Sequence, residues 1–197
     1  MNYRMANTPS VLKESSAGIF ACGIDDVMLA DREIHCVGTI DAGLANSICL
    51  QLLHLQKEDP DGRITIYFNS PGGEVASGLA IYDVMCAVSC PIRTVCLGTA
   101  ASAAALLFIS GDEREMLPHA NVMIHDPLIA GGVGGSALQL RTVSENLLRT
   151  REIIAEIIAQ HTGKPIEEIY EATSKDSWFE APEAVAWGLA DRVIDRL

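Results

Sequence analysis

Short runs of β-branched and aromatic residues alternate along this chain with segments whose apolar residues recur at helical spacing. Strands separated by helices in this way are typical of βαβ units, in which neighbouring strands run parallel. The alternation therefore predicts an α/β fold with a largely parallel sheet, and 197 residues are enough for one hydrophobic core. The predicted strands are 33–38, 63–68, 92–97, 121–124 and 193–194, and helices are predicted at 44–55 and 77–88, after residue 102 and from Pro165 and Pro182.

Ser102 lies where the third predicted strand turns into an apolar helix. Its neighbours on both sides are alanines, and an alanine would fill the same space without a hydroxyl group to satisfy. One interpretation is a helix N-cap, which is the usual task of a serine at such a boundary. The other is a nucleophile, placed where a helix N-terminus stabilises nearby negative charge.

Gly73, Ser102 and His125 each follow a predicted strand. In parallel sheets the functional site lies at the carboxyl ends of the strands, so these three residues can converge there. Serine hydrolysis needs a hydroxyl, an imidazole, a carboxylate that orients the imidazole, and amide donors for the oxyanion. Sequence spacing does not prove such geometry, so the cap and the nucleophile both stay open for Ser102.

Composition narrows the classes of partner. The net charge of −12 and the lack of a basic run argue against nucleic-acid binding, which depends on clustered Lys and Arg. No apolar run approaches the roughly 20 residues that span a bilayer, and residues 1–14 lack the apolar core of a secretory signal, so we expect no membrane contact and a cytoplasmic location. The six cysteines lie mostly in apolar segments without metal-ligand spacing, which predicts free thiols and no metal site.

The first 23 residues differ from the rest of the chain, because they show no sustained hydrophobic period. They are predicted to form an N-terminal arm, residues 1–23. Residues 24–197 then form a single main domain.

A long helix is predicted over 136–160, after a glycine-rich segment at 128–135. Ser136 and Gln139 are placed for a capping box at its start, and Gly163 is the usual residue to end it. The helix is longer than a core of this size requires, so part of it is predicted to pack on another subunit.

Seven short motifs occur in order between residue 70 and the end of the chain. They are Ser70-Pro71-Gly72-Gly73, Gly78-Leu79-Ala80-Ile81-Tyr82-Asp83, Gly98-Thr99-Ala100-Ala101-Ser102, Leu117-Pro118, Met123-Ile124-His125-x-Pro127, His161-Thr162-Gly163 and Ala181-x-Glu183-Ala184-x-x-x-Gly188-Leu189-x-Asp191. Together they resemble the proteolytic-subunit family of the Clp protease, and their number and order make the resemblance specific.

The resemblance implies a crotonase-like fold of repeated βαβ units with a protruding handle segment at 128–160. It also implies a serine endopeptidase that assembles as two stacked seven-membered rings, either homo- or hetero-oligomeric, and degrades unfolded polypeptides to short peptides. An AAA+ unfoldase would feed this chamber and use the ATP, so the resemblance implies no cofactor in this subunit.

Carried over by position, the resemblance implies that Ser102 is the nucleophile, His125 the general base and Asp176 the orienting acid. Gly73 and Ala103 would supply the oxyanion amides. The residues that the resemblance places against the substrate backbone are Ser70, Pro71, Gly72, Pro127 and Leu128.

The chain departs from the family pattern at three sites. Ala103-Ala104 replaces the usual Met-Gly after the nucleophile, which leaves the backbone amide in place. Asp126 replaces a Gln beside the general base, and we expect it to alter the pH dependence of catalysis. Ser174-Lys175 replaces an Asp-Arg pair that links ring contact to the triad. These departures leave one alternative open, which is a weakly active or inactive paralogue that requires a partner subunit. A second alternative, which shares the same fold, is a crotonase-like acyl-CoA enzyme without a serine nucleophile.

Overall fold

The computed structural model describes residues 9–15, 18–129, 131–132 and 134–197. Its strands are β1 (Ser10–Ser15), β2 (Gly18–Gly23), β3 (Glu33–Val37), β4 (Ile64–Ser70), β5 (Ile92–Ala101), β6 (Glu113–Met116), β7 (Asn121–Ile124), β8 (Ser177–Glu180) and β9 (Arg192–Val193). Its helices are α1 (Ile24–Ala30), α2 (Ala42–Glu58), α3 (Val75–Ala87), α4 (Ala103–Phe108), α5 (Ala137–Thr162), α6 (Ile166–Thr173) and α7 (Ala181–Trp187).

One seven-stranded sheet organises the described chain, with the order β3-β4-β5-β6-β9 and with β7 and β8 joined to it through β5. The pairs are parallel except for β7 with β8. Strand β5 has two neighbours on one edge, because residues 93–96 pair with β6 and residues 99–101 pair with β7. The carboxyl ends of β5 and β7 therefore lie side by side.

The core follows from the apolar pattern of the strands and of the helices that cover them. Strand β4 is buried at every position except Asn69, as expected for a parallel strand with both faces covered. Asp41 is the N-cap of α2, and its side chain accepts a hydrogen bond from the Leu44 amide. Its buried residues, Ala45, Ile48, Leu52 and Leu55, recur every three or four positions and face the sheet.

Helix α5 has 26 residues, which corresponds to about 39 Å. Ser136 and Gln139 form the predicted capping box, and Gly163 ends the helix at a φ of 72°. The buried residues of α5 are confined to 155–158, so its first half extends away from the core of the described chain. Among the described residues, no helix is both long enough and apolar enough to cross a membrane.

The predicted α/β architecture and its main strands and helices are confirmed. Two elements were predicted too short at their C-terminal ends, because β5 continues to Ala101 and α2 continues to Glu58. Four features were not among the predicted elements: α1, β6, β8 and the antiparallel pair β1–β2, which lies within the predicted arm. Residues 1–8 and 16–17 of that arm, and residues 130 and 133 of the glycine-rich segment, lie outside the described residues.

Candidate active site

Ser102 occupies the turn between β5 and α4, where the chain reverses from strand to helix. Its backbone has a φ of 55° and a ψ of −123°, and its amide donates to the carbonyl of Met123 at 2.8 Å. It stands at the N-cap position of α4, but its side chain makes no capping hydrogen bond. The hydroxyl instead lies 2.8 Å from Nε2 of His125, so the cap interpretation does not describe this side chain.

His125 follows β7 and Asp176 precedes β8, and these two strands pair antiparallel. Nδ1 of His125 lies 3.3 Å from Oδ1 of Asp176, on the side of the ring opposite Ser102. The imidazole is 15% exposed, whereas the Asp176 side chain is 67% exposed. The three predicted residues thus form a continuous Ser–His–Asp series, whose carboxylate end is open to solvent.

The Gly72-Gly73 turn packs directly against Ser102. Gly72 has a φ of 90°, and a Cβ atom there would lie 2.8 Å from Cβ of Ser102 and 3.0 Å from the amide of Ala103. A Cβ atom at Gly73 would lie 2.1 Å from the carbonyl oxygen of Ile40, so both positions exclude a side chain. Among the described residues, the amides of Gly73 and Ala103 have no hydrogen-bond acceptor, which leaves two donors beside the Ser102 hydroxyl.

The residues predicted to bind substrate backbone lie on both sides of this turn. Ser70 is buried, and its hydroxyl donates to the Gly38 carbonyl at 2.6 Å and accepts from the Gly72 amide at 3.1 Å. Its side chain therefore supports the turn and does not face solvent. Pro71 and Leu128 are exposed.

An apolar pocket adjoins Ser102 and His125. Its other lining residues come from α3, α4, β7 and α5 and from the chain after His125, and they are Val75, Ala103, Leu106, Ile124, Pro127, Ile154 and Ile158. Sequence analysis did not assign a site role to Val75, Leu106, Ile154 or Ile158. The two isoleucines are four positions apart in the sequence, which places them on one face of the predicted helix, but which site they face depends on how α5 packs.

No group of three or more metal-ligating side chains occurs in the part of the chain that the structure describes. The site itself offers a hydroxyl, an imidazole, a carboxylate and backbone amide groups. A hydroxyl at a strand-to-helix turn, in line with an imidazole and a carboxylate and beside two free amides, is the arrangement of the serine hydrolases.

Comparison with known proteins narrows this class. The model of the Clp protease family matches residues 18–197. The chain is also similar to the ATP-dependent Clp protease proteolytic subunit of Porphyromonas gingivalis, with 38% identity over 191 residues that cover 96% of this chain and 85% of that protein. This chain therefore belongs to the Clp protease family, as the motifs predicted.

Family membership establishes the enzyme class as a serine peptidase and the chain as a proteolytic subunit. It argues against the acyl-CoA enzyme considered from the sequence. The α/β sheet with its parallel strands agrees with this family.

Proposed function

We propose that Ser102 is the nucleophile and His125 the general base of peptide-bond hydrolysis. The observation that carries this proposal is the distance of 2.8 Å between Ser102 Oγ and His125 Nε2. Asp176 would accept a hydrogen bond from Nδ1–H of His125, which keeps the proton on Nδ1 and leaves Nε2 free to take the hydroxyl proton. As the Ser102 oxygen attacks the carbonyl carbon, its proton moves to His125. That proton then passes to the leaving amine when the C–N bond breaks, and water hydrolyses the acyl-enzyme by the same route.

The amides of Gly73 and Ala103 are proposed to bind the oxyanion of the tetrahedral intermediate. Their support is the contact of the Gly72-Gly73 turn with Ser102 and the lack of another acceptor among the described residues. Backbone amides held in this way need no reorganisation as charge develops, and one such donor is worth about 10²- to 10³-fold in kcat.

The substrate is proposed to be an unfolded polypeptide that binds as an extended strand along Ser70 to Gly72 on one side and Pro127 and Leu128 on the other. Backbone pairing of this kind reads few side chains, which suits a processive peptidase. The aliphatic pocket beside Ser102 would receive an apolar side chain next to the cleaved bond.

The proposed assembly is a pair of stacked seven-membered rings, with the first half of α5 in the contact between them. The exposed apolar side chains of α5 support this, because they lack a partner within the described chain. An AAA+ unfoldase would deliver substrate and hydrolyse the ATP, so the proteolytic subunit would need no cofactor of its own. The proposed location is the cytoplasm.

The first test is the substitution Ser102→Ala in the full chain. We expect it to lower hydrolysis of a fluorogenic peptide with an apolar residue before the cleaved bond by about 10³-fold or more. A fluorophosphonate probe should modify the unsubstituted chain once, at Ser102 by peptide mass mapping, and should not modify the variant. Ser89→Ala, which removes a hydroxyl that bonds to the Pro60 carbonyl and does not line the pocket, is the matched control and should retain activity. Full activity of Ser102→Ala would contradict the proposal.

A partner-dependent subunit is the second candidate, and the open end of the triad favours it. The distance of 3.3 Å between His125 and Asp176 exceeds the 2.7–2.9 Å of a charge-assisted hydrogen bond, and Asp176 is largely exposed. Particle mass and probe labelling of the purified chain, measured together, separate the two candidates. A chain that reacts at Ser102 only after a second Clp proteolytic subunit is added would favour the partner-dependent enzyme.

A further inference from the structure

Asp126 directly follows His125 and is bonded twice to the same residue of a different element. Its amide donates to the Thr173 carbonyl at 2.7 Å, and its Oδ1 accepts from the Thr173 hydroxyl at 2.6 Å. Thr173 is the last residue of α6 and is buried, so it is a fixed point on which the loop after His125 can be held.

These bonds fix one end of the turn that carries Asp176, and the β7–β8 pair fixes the other. On the other side of His125, Ile124 pairs with Ser177 in the β7–β8 ladder. The turn 174–176, which carries Asp176, is therefore tied at both ends to the two residues that flank His125. A short turn with both ends held has little freedom, so its carboxylate stays opposite the imidazole.

The second carboxylate oxygen of Asp126 binds α5. Nε of Arg151, on α5, lies 2.5 Å from Oδ2 of Asp126. The same guanidinium lies over the ring of Tyr170, with its carbon 4.1 Å from the ring centroid. Both carboxylate oxygens of Asp126 thus have a partner. Oδ1 accepts from Thr173, and Oδ2 pairs with the positively charged Arg151, not with the His125 imidazole.

We propose that Asp126 is a positioning residue, which holds Asp176 against His125 through Thr173 and couples that alignment to α5 through Arg151. The proposal rests on the triad of the proposed function. It gives a physical task to a carboxylate at a position where the family pattern has an amide, and it makes the packing of α5 one determinant of how well the triad is aligned.

The experiment compares kcat and KM for peptide hydrolysis by the full chain carrying Asp126→Ala or Thr173→Val, the latter removing only the hydroxyl donor. We expect kcat to fall about 10- to 100-fold for Asp126→Ala and about 3- to 10-fold for Thr173→Val, with KM changed less than about twofold, because alignment is lost and the substrate surface is kept. Glu168→Ala is the matched control: Glu168 lies on α6 like Thr173, its substitution breaks an ion pair with Lys164, and we expect wild-type kcat.

A double substitution separates positioning from a general loss of structure. If Asp126 acts through Asp176, then Asp126→Ala should lower the kcat of Asp176→Asn by less than about threefold. Its full effect on that background, or an unchanged kcat of Asp126→Ala alone, would overturn the inference while leaving the nucleophile assignment intact. Activity of Ser102→Ala would instead overturn the proposed function.

A crystal structure of the Asp126→Ala variant tests the same inference through the position of Asp176, without a measurement of activity. The distance between His125 Nδ1 and Asp176 Oδ1 should lengthen beyond 3.3 Å. Retention of that distance in an otherwise unchanged fold would also overturn the inference.

Discussion

Ser102 has a backbone conformation that few residues with a side chain adopt. Within the described residues it shares a positive φ with one other non-glycine residue, Arg32. Such conformations cost about 1–3 kcal/mol and persist where the surrounding structure determines them. Here the amide bond to Met123 and the packed Gly72-Gly73 turn hold the residue, and the result is a hydroxyl that faces His125.

This strain can be measured by comparing Ser102→Gly with Ser102→Ala. Both variants should lack peptidase activity, but glycine adopts this conformation freely and alanine does not. We expect the free energy of unfolding of the glycine variant to exceed that of the alanine variant by about 1 kcal/mol. Denaturant titration followed by circular dichroism measures the difference. An alanine variant as stable as the glycine variant would show that the turn is unstrained.

At the scale of the elements, a buried carboxylate joins three strands of the sheet. Glu115 on β6 is 3% exposed and pairs with Arg93 on β5 and with Arg192 on β9. Burial by itself raises the pKa of Glu115, but hydrogen bonds and charge from the two arginines outweigh it and hold the pKa below its usual value of 4.5. The ionised form is therefore favoured in the folded state.

The sign of the pH dependence follows from this lowered pKa. The contribution of Glu115 to stability is complete above pH 4.5 and is lost as pH falls through the folded pKa, because the unfolded chain then binds the proton more readily. Glu115→Gln should lower the free energy of unfolding by about 1–3 kcal/mol at pH 7, and the deficit should shrink below pH 4.5. Thermal unfolding scans from pH 7 to pH 3 provide the measurement.

Glu113→Gln is the matched control for this prediction. Glu113 lies on the same strand and contacts Arg192, but its side chain is 45% exposed, and exposed ion pairs contribute about 0–1 kcal/mol. An equal effect of the two substitutions would show that burial of Glu115 has no special role.

At the scale of the whole molecule, α5 presents apolar side chains that the described chain does not cover. Those exposed by more than a third are Leu138, Leu140, Leu148 and Ile153. A surface of this kind on a helix that extends from the core is typical of a subunit contact.

The proposed ring contact is tested by Leu148→Glu. Leu148 is 56% exposed in the described chain, so the substitution leaves the core unchanged, whereas a buried glutamate in a subunit contact is costly. We expect the particle mass from native mass spectrometry to fall to about half, from two rings to one, with an unchanged circular dichroism spectrum. An unchanged particle mass would place this part of α5 outside the contact.

The residues whose structure was predicted best are those governed by local rules. The capping box of Ser136 and Gln139 and the glycine that ends α5 depend on neighbours within four positions, and both were visible in the sequence. The apolar period of β4 and α2 likewise needs no partner to be recognised. The motifs further predicted the family and the three side chains that the structure brings together.

Strand β8 and the Asp126 contacts were beyond sequence analysis, because they exist only through residues distant in the chain. Ser177–Glu180 forms a strand by pairing with β7, although in the sequence it is only the end of a polar segment that leads into two aromatic residues. Asp126, Arg151 and Thr173 are separated by at least 22 positions, and nothing local shows that one carboxylate binds both of the others.

The sequence by itself thus determined most of the main strands and helices, the family and the chemical groups of the site, since each depends on residue type and short spacing. Tertiary structure alone decided the alignment of those groups. The register of β5, β7 and β8 sets the distances of Ser102, His125 and Asp176, and that register follows from the packing of the whole sheet and its helices.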